Sequence, residues 1–190
     1  MKIHIKYMVS SRCKMLVKAE LDKLDLSYSY IELGEVQLKK PMNSTQYAEL
    51  QSSLMKAGLE LIEDKKAILV EKIRIAMVEL IHYSDDISKI NFADYISQKL
   101  GHHYGYLTTI FSEVTNMTIE QYAIIHKIER AKELLLYGEM TLTEISHKLN
   151  YSSVAHLSAQ FKKNTGMTPT QFKKLKEHNR RTTLESLLMI

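Results

Sequence analysis

Leu157-Ser158-Ala159-Gln160-Phe161-Lys162-Lys163-Asn164-Thr165-Gly166-Met167-Thr168-Pro169-Thr170-Gln171-Phe172 restates, at an offset of 50, the earlier stretch Leu107-Thr108-Thr109-Ile110-Phe111-Ser112-Glu113-Val114-Thr115-Asn116-Met117-Thr118-Ile119-Glu120-Gln121-Tyr122. Leu107 coincides with Leu157, Phe111 with Phe161, Asn116-Met117-Thr118 with Gly166-Met167-Thr168, and Gln121-Tyr122 with Gln171-Phe172. A short amphipathic run precedes each copy, Tyr95-Ile96-Ser97-Gln98-Lys99-Leu100 in one and Glu144-Ile145-Ser146-His147-Lys148-Leu149 in the other. A short helix, a brief break and a second apolar helix ending in Phe read as a helix-turn-helix. Two in tandem place two recognition helices side by side, enough to enter two segments of a DNA major groove.

Around these stretches the chain supplies matching start and stop signals. Asn91 is placed to cap a helix running to Leu100, Gly101 makes the turn, and a second helix is predicted over residues 103–114. In the second unit Thr141 or Thr143 opens a helix to Leu149, Asn150 occupies the turn, and the second helix is predicted over residues 153–164. Ile119, Tyr122, Ile128, Ala131, Leu134 and Leu135 mark a long connecting helix over residues 119–137, ended by Gly138. Thr168-Pro169 opens a closing helix, because Pro tolerates the first helical position.

Charge is distributed unevenly. The net charge of +4 is small. Residues 141–181 carry eight Lys/Arg against two Asp/Glu, whereas residues 84–140 carry five against eight. Lys162, Lys163, Lys173, Lys174, Lys176, Arg180 and Arg181 form a basic cluster suited to phosphate contacts. Alone, such a run reads as a solvated helical face; the repeat beside it favours nucleic acid. No apolar run approaches the ~20 residues of a membrane span. The start, Met1-Lys2-Ile3-His4-Ile5-Lys6, lacks the continuous apolar stretch of a signal peptide. A single cysteine, Cys13, excludes an internal disulfide framework. A cytoplasmic location is expected. No catalytic constellation and no nucleotide loop is present, so the chain is not expected to be an enzyme.

Residues 1–63 alternate short strands and helices. Lys2 to Val9 has the period of a strand, and Ser10 or Ser11 caps a helix carrying Cys13, Leu16, Val17, Leu21 and Leu24. Ser27 to Leu33 and Glu35 to Leu38 read as a ribbon joined near Gly34. Ser44 or Thr45 starts a second helix stopped by Gly58, and Leu59 to Ile62 is a final strand. The order βαββαβ predicts a ferredoxin-like α+β domain. Residues 64–83 read as one helix. Leu69, Ile73, Ala76 and Leu80 could form a dimer seam, while Ile68, Val70, Ile75, Met77, Val78 and Ile81 suit a helix packed between domains; the spacing leaves both readings open.

The carboxy-terminal half resembles the DNA-binding domain of the AraC/XylS family of bacterial transcription regulators. The match runs from Thr143 to Tyr151, from Ser158 to Lys163 and from Thr165 to Lys173, with Lys127-Ile128-Glu129-Arg130-Ala131-Lys132-Glu133-Leu134-Leu135 as the linker-helix pattern. It covers about residues 88–176. Asn150 and Asn116 stand where Gly is usual, and Lys127 where Arg is usual. The resemblance implies an all-α domain with two helix-turn-helix units and double-stranded DNA as partner. Base-reading candidates are His103, Tyr104, Gly105, Thr108 and Thr109 in the first recognition helix, and Ser153, Ala155, His156, Ala159 and Gln160 in the second. His156 and Gln160 can hydrogen-bond base edges, and Thr108 and Thr109 can touch a thymine methyl. Lys162, Lys163, Lys173 and Lys174 are the phosphate candidates. The second unit is expected to grip phosphates more strongly than the first.

The βαββαβ order with Met8-Val9-Ser10-Ser11-Arg12-Cys13 at the first strand–helix junction resembles heavy-metal-associated domains, which carry Met-x-Cys-x-x-Cys there. Ser10 stands at the first cysteine position, and a hydroxyl is a poor ligand for a soft metal. Three readings of Cys13 stay open: a soft-metal ligand, with Met8 or across a homodimer; a redox-sensitive thiol beside Arg12; or a small core residue in a dimerisation or small-ligand platform. A sacrificial methyl-accepting thiol is a weaker fourth. The expected organisation is therefore an α+β ferredoxin-like, heavy-metal-associated-like domain (1–63), a connecting helix (64–83), an all-α DNA-binding domain with two helix-turn-helix units (84–178) and a tail (179–190). The expected function is sequence-specific transcription regulation with an unnamed effector. The alternative is a metal-handling or thiol-redox protein using Cys13.

Overall fold

Alternation along β1 (Lys2–Lys6) buries Ile3 and Ile5 on one face of a four-stranded sheet. The structure, a computed structural model, describes residues 1–84 and 90–174. Asp85-Asp86 of the expected domain boundary, Lys176, Arg180 and Arg181 of the basic cluster, and the tail lie outside the described residues. β1 pairs antiparallel with β3 (Glu35–Leu38), Ile3 opposite Val36, and with β4 (Glu60–Ile62), Ile5 opposite Leu61. β2 (Tyr28–Glu32) pairs antiparallel with β3, giving the strand order β2-β3-β1-β4. The element sequence is strand, helix, two strands, helix, strand, with α1 at Ser11–Lys23 and α2 at Ser44–Lys56. Ile3, Ile5, Val17, Leu21, Val36, Leu50, Leu54 and Leu61 share one core. Each fully buried side chain of this size contributes about 1.5–3 kcal/mol.

Polar side chains fix the helix starts. Ser10 caps α1: its hydroxyl accepts the Cys13 N–H at 3.4 Å and lies 3.3 Å from Cys13 Sγ. Ser10 thus has a structural use at the place where a metal domain carries a thiolate. Cys13 is 8% exposed and Met8 fully buried, and both belong to the core. Among the described residues no three His, Cys, Asp or Glu side chains gather into a metal-holding group. α2 starts at Ser44, as expected, and its cap is Asn43, because Asn43 and Gln46 form a reciprocal capping box. Gly34 turns β2 into β3 at φ 74°, and a Cβ there would collide with Ile75.

α3 (Lys65–Val78) starts with the Asp64 carboxylate accepting the Ala67 N–H at 2.8 Å. The single helix expected over residues 64–83 is corrected here: the last five residues, Glu79–Tyr83, widen into a π-helical turn. Widening changes the angular spacing of side chains. Leu80 enters the second core, and His82 Nε2 comes 3.3 Å from His126 Nδ1. Val70, Glu71, Ile73, Arg74, Ile75, Ala76, Met77 and Val78 are all buried, so burial goes round the helix and leaves no exposed apolar stripe along this stretch. Glu71 accepts the N–H of Tyr7, which sits at φ 67°, at 2.7 Å, with Arg74 Nη1 3.8 Å from its other oxygen. The chain divides into two compact units, one covering Met1–Ile75 and one beginning at Ala76.

The described second unit is entirely helical: α4 (Phe92–Leu100), α5 (Tyr104–Thr115), α6 (Ile119–Tyr137), α7 (Leu142–Lys148), α8 (Val154–Thr165) and α9 (Pro169–Lys174). Leu80, Ile128, Ala131, Leu135, Ile145, Leu149, Leu157, Phe161 and Phe172 form one core around α6. Lys132 and Glu129 are buried on α6 as an ion pair one turn apart. Among the described residues no helix is long and apolar enough to cross a membrane.

Candidate nucleic-acid interface

α4 and α5 form one helix-turn-helix and α7 and α8 the other. The turns need a left-handed residue, supplied by Gly101 at φ 69° and Asn150 at φ 54°. Asn is the side chain that tolerates this region best after Gly. α5 and α8 end the same way, on Asn116 at φ 55° and Gly166 at φ 78°. The repeat extends to hydrogen bonds. Thr115 and Thr165 donate to Phe111 O and Phe161 O at 2.7 and 2.8 Å. Thr118 with Gln121, and Thr168 with Gln171, then close matching boxes at the starts of α6 and α9. The caps of the first helices are Asn91, which accepts from Ala93 and Asp94, and Thr141 rather than Thr143. The recognition helices run one residue later than expected, with His103 and Ser153 as their caps.

On α5, His103 is exposed, and its side chain makes no capping bond. Tyr104 is half-buried and donates its hydroxyl to Glu120 Oε1 at 2.7 Å, which removes that donor from the helix face. Burial and the Glu120 carboxylate together push the Tyr104 phenol well above its ordinary value. A Cβ at Gly105 would meet nothing within 4 Å. Thr108 and Thr109 both donate their hydroxyls to Gly105 O, at 2.9 Å each. Tyr106, absent from the sequence-derived candidates, is 50% exposed. Its signal was the Tyr104–Tyr106 spacing, which on a helix sends two aromatics in different directions.

On α8, the Ser153 hydroxyl accepts the His156 N–H at 3.1 Å. His156 Nδ1 lies 3.0 Å from Ser152 Oγ, and its ring meets Tyr151 edge-on at 5.2 Å. Those contacts fix the imidazole and direct hydrogen bonding with any ligand to Nε2. Tyr151 was also missed: it is buried, its hydroxyl pushed up to about 12 by burial, with Lys127 Nζ over its ring at 5.4 Å. Lys127 is itself pulled below the ordinary lysine value by burial. Ala155 and Ala159 are exposed. Gln160 is half-buried and, with Met117, Gln121, Ile124, Ile125 and Lys163, lines a groove of about 400 Å³ beside α6. The structure therefore sets Gln160 partly toward α6 and not wholly on the exposed face. Lys162 and Lys163 stand exposed on the last turn of α8, and Lys173 and Lys174 on that of α9. At the places of Lys162 and Lys163, α5 carries Ser112 and Glu113.

Residues 96–175 match the family model described as a helix-turn-helix domain. The chain is similar to the Msm operon regulatory protein of Streptococcus mutans, at 29% identity over 51% of this chain and 38% of that protein. It is also similar to an uncharacterized HTH-type transcriptional regulator in the cgkA 5' region of Pseudoalteromonas carrageenovora, at 32% identity over 49% of this chain and 52% of that one. The chain thus spans about half the length, or less, of these curated relatives. Among solved structures, the C-terminal domain of AraT, a response regulator from Geobacillus stearothermophilus, aligns over 63% of this chain and 95% of its own, with 22% identity and a TM-score of 0.49. Residues 96–175 of the carboxy-terminal half are a helix-turn-helix domain.

Proposed function

We propose that this chain is a sequence-specific, DNA-binding transcriptional regulator without enzymatic activity. The observation that carries the reading is the duplicated helix-turn-helix, matched down to the hydrogen bonds that end α5 and α8 and start α6 and α9. Two units on one plan hold two helices for one repeated task. α5 and α8 each enter a major-groove segment, and α6 fixes their separation. His156 reads a base edge through Nε2, Gln160 and His103 assist, and Tyr104 acts through its ring, since its hydroxyl serves Glu120. Ser153, Ala159, Thr108 and Thr109 shape the contact surface. Lys162, Lys163, Lys173 and Lys174 hold phosphates, which position the protein without reading sequence.

The amino-terminal unit is, in this reading, a ferredoxin-like platform for sensing or homodimerisation. Its strand order and uniformly antiparallel pairing support that fold. Cys13 packs in its core, so the core-residue reading is preferred to a soft-metal site.

The test is selection of duplexes from a random-sequence pool by the full chain, followed by affinity measurement on the selected DNA. Selection of a defined motif, weakened by His156→Ala with Gln160→Ala, is the expected outcome. Binding without sequence preference, or without loss in that variant, overturns the direct-readout assignment.

A further inference from the structure

We propose that α5 is a reader of thymine methyl groups, so that the DNA segment under the first unit is chosen for its thymines more than for hydrogen-bonding base edges, for which the first unit keeps His103 at its cap. This rests on the DNA-binding reading above and names what the first unit recognises.

Three observations converge on the exposed start of α5. A threonine hydroxyl has a single hydrogen, and Thr108 and Thr109 both spend theirs on one carbonyl, Gly105 O, at 2.9 Å. With the oxygen turned back onto the helix, the tetrahedral Cβ holds the methyl away from that carbonyl. Thr109 is exposed and Thr108 half-buried, so what this face offers a base is mainly carbon. Next, Tyr104 gives its hydroxyl to Glu120 at 2.7 Å, which withdraws a third donor. Finally, residues 103–112 contain no Lys, Arg, Asp or Glu, and Gly105 leaves open space where a side chain would otherwise stand between the helix and a base pair. In the major groove the one apolar feature that distinguishes bases is the thymine C5-methyl, for which threonine methyls are suited partners. α8 differs: its His156 keeps Nε2 for hydrogen bonding, and it carries Lys162 and Lys163.

Deoxyuridine tests this cleanly, because it pairs as thymine does and lacks only the methyl. Duplexes selected by the full chain are resynthesised with each thymine replaced singly by deoxyuridine, and affinity is measured for the wild type and for two double variants. Thr108→Ser with Thr109→Ser keeps the hydroxyls and removes the methyls; Thr108→Val with Thr109→Val does the reverse. Burying one methyl is worth about fourfold in affinity. The wild type should lose about fourfold at each thymine under α5, and about 15-fold for two together. The serine variant should be indifferent to those replacements, while the valine variant should discriminate like the wild type. Wild-type indifference to deoxyuridine throughout, with selective DNA binding intact, overturns the methyl reading alone. Discrimination lost in the valine variant but kept in the serine variant overturns it too, by assigning readout to the hydroxyls. Failure to select any motif overturns the sequence-specific reading above as well, and failure to bind any duplex overturns the DNA-binding reading itself. The wild-type deoxyuridine series needs no substitution in the protein, so it stands whether or not a variant folds.

Discussion

Glu113 and Lys163 occupy the same exposed place on two copies of one helix, and they carry opposite charges. One residue earlier Ser112 faces Lys162 in the comparison. The two units therefore share a backbone plan and differ in how they meet a polyanion. Each phosphate contact adds about 0.9 to the slope of log affinity against log salt. Lys162→Ala with Lys163→Ala should lower that slope by about 1.8 and weaken binding on all sequences alike. Ser112→Ala with Glu113→Ala should leave the slope unchanged or raise it. Salt titrations of DNA affinity check both, and equal losses from the two pairs would remove the asymmetry.

Gly105 is the second residue of α5 and has open space above it. Gly105→Ala should stabilise the folded chain by ~0.4–1 kcal/mol, by restricting the unfolded chain at a helical position. The same methyl stands in the space through which DNA approaches, so affinity should fall. Chemical denaturation and DNA titration of one variant should thus move in opposite directions. A variant less stable than wild type, or equally tight on DNA, would show that the glycine is there for another reason.

Asn150 holds φ 54° in the second turn. Asn150→Gly should be neutral or slightly stabilising, and Asn150→Ala should cost about 1 kcal/mol, because Ala meets the left-handed region with its Cβ. Asn116, at φ 55°, should rank its substitutions the same way. Thermal melts of the four variants give the comparison.

Glu71 is buried and supports the left-handed Tyr7 by accepting its N–H. Burial, only partly offset by Arg74, pushes its carboxyl above the ordinary range. The folded chain therefore holds that proton more firmly than the unfolded chain. Stability from this group should fall as pH rises from the ordinary carboxylate range through the raised value, and Glu71→Gln should flatten that slope. Glu71→Leu removes one partner of a buried ion pair and orphans the Tyr7 amide, a change expected to cost about 3–5 kcal/mol. Urea unfolding at several pH values reads both effects.

Much of this was legible in the sequence because each feature had a local cause. Period-two alternation around Ile3 and Ile5 gave the strand, and Asn91 and Thr168-Pro169 marked helix ends by their own hydrogen-bonding chemistry. The offset between Leu107 and Leu157 exposed the duplication. What stayed hidden depends on contacts between distant residues. Nothing around Glu71 announces that it accepts from Tyr7, and nothing in Leu80 to Tyr83 announces a π-helical turn that meets His126. The interface was legible in position but not in state: Tyr104 was a fair candidate until Glu120, sixteen residues on, took its hydroxyl.

Two recognition helices on one chain should leave two footprints. Hydroxyl-radical footprinting of the full chain on the duplexes it selects is predicted to protect the sugar backbone flanking two successive major-groove segments, about one helical turn (~10 base pairs) apart on one face of the DNA. A single protected segment, or uniform protection along the duplex, would contradict reading by both α5 and α8.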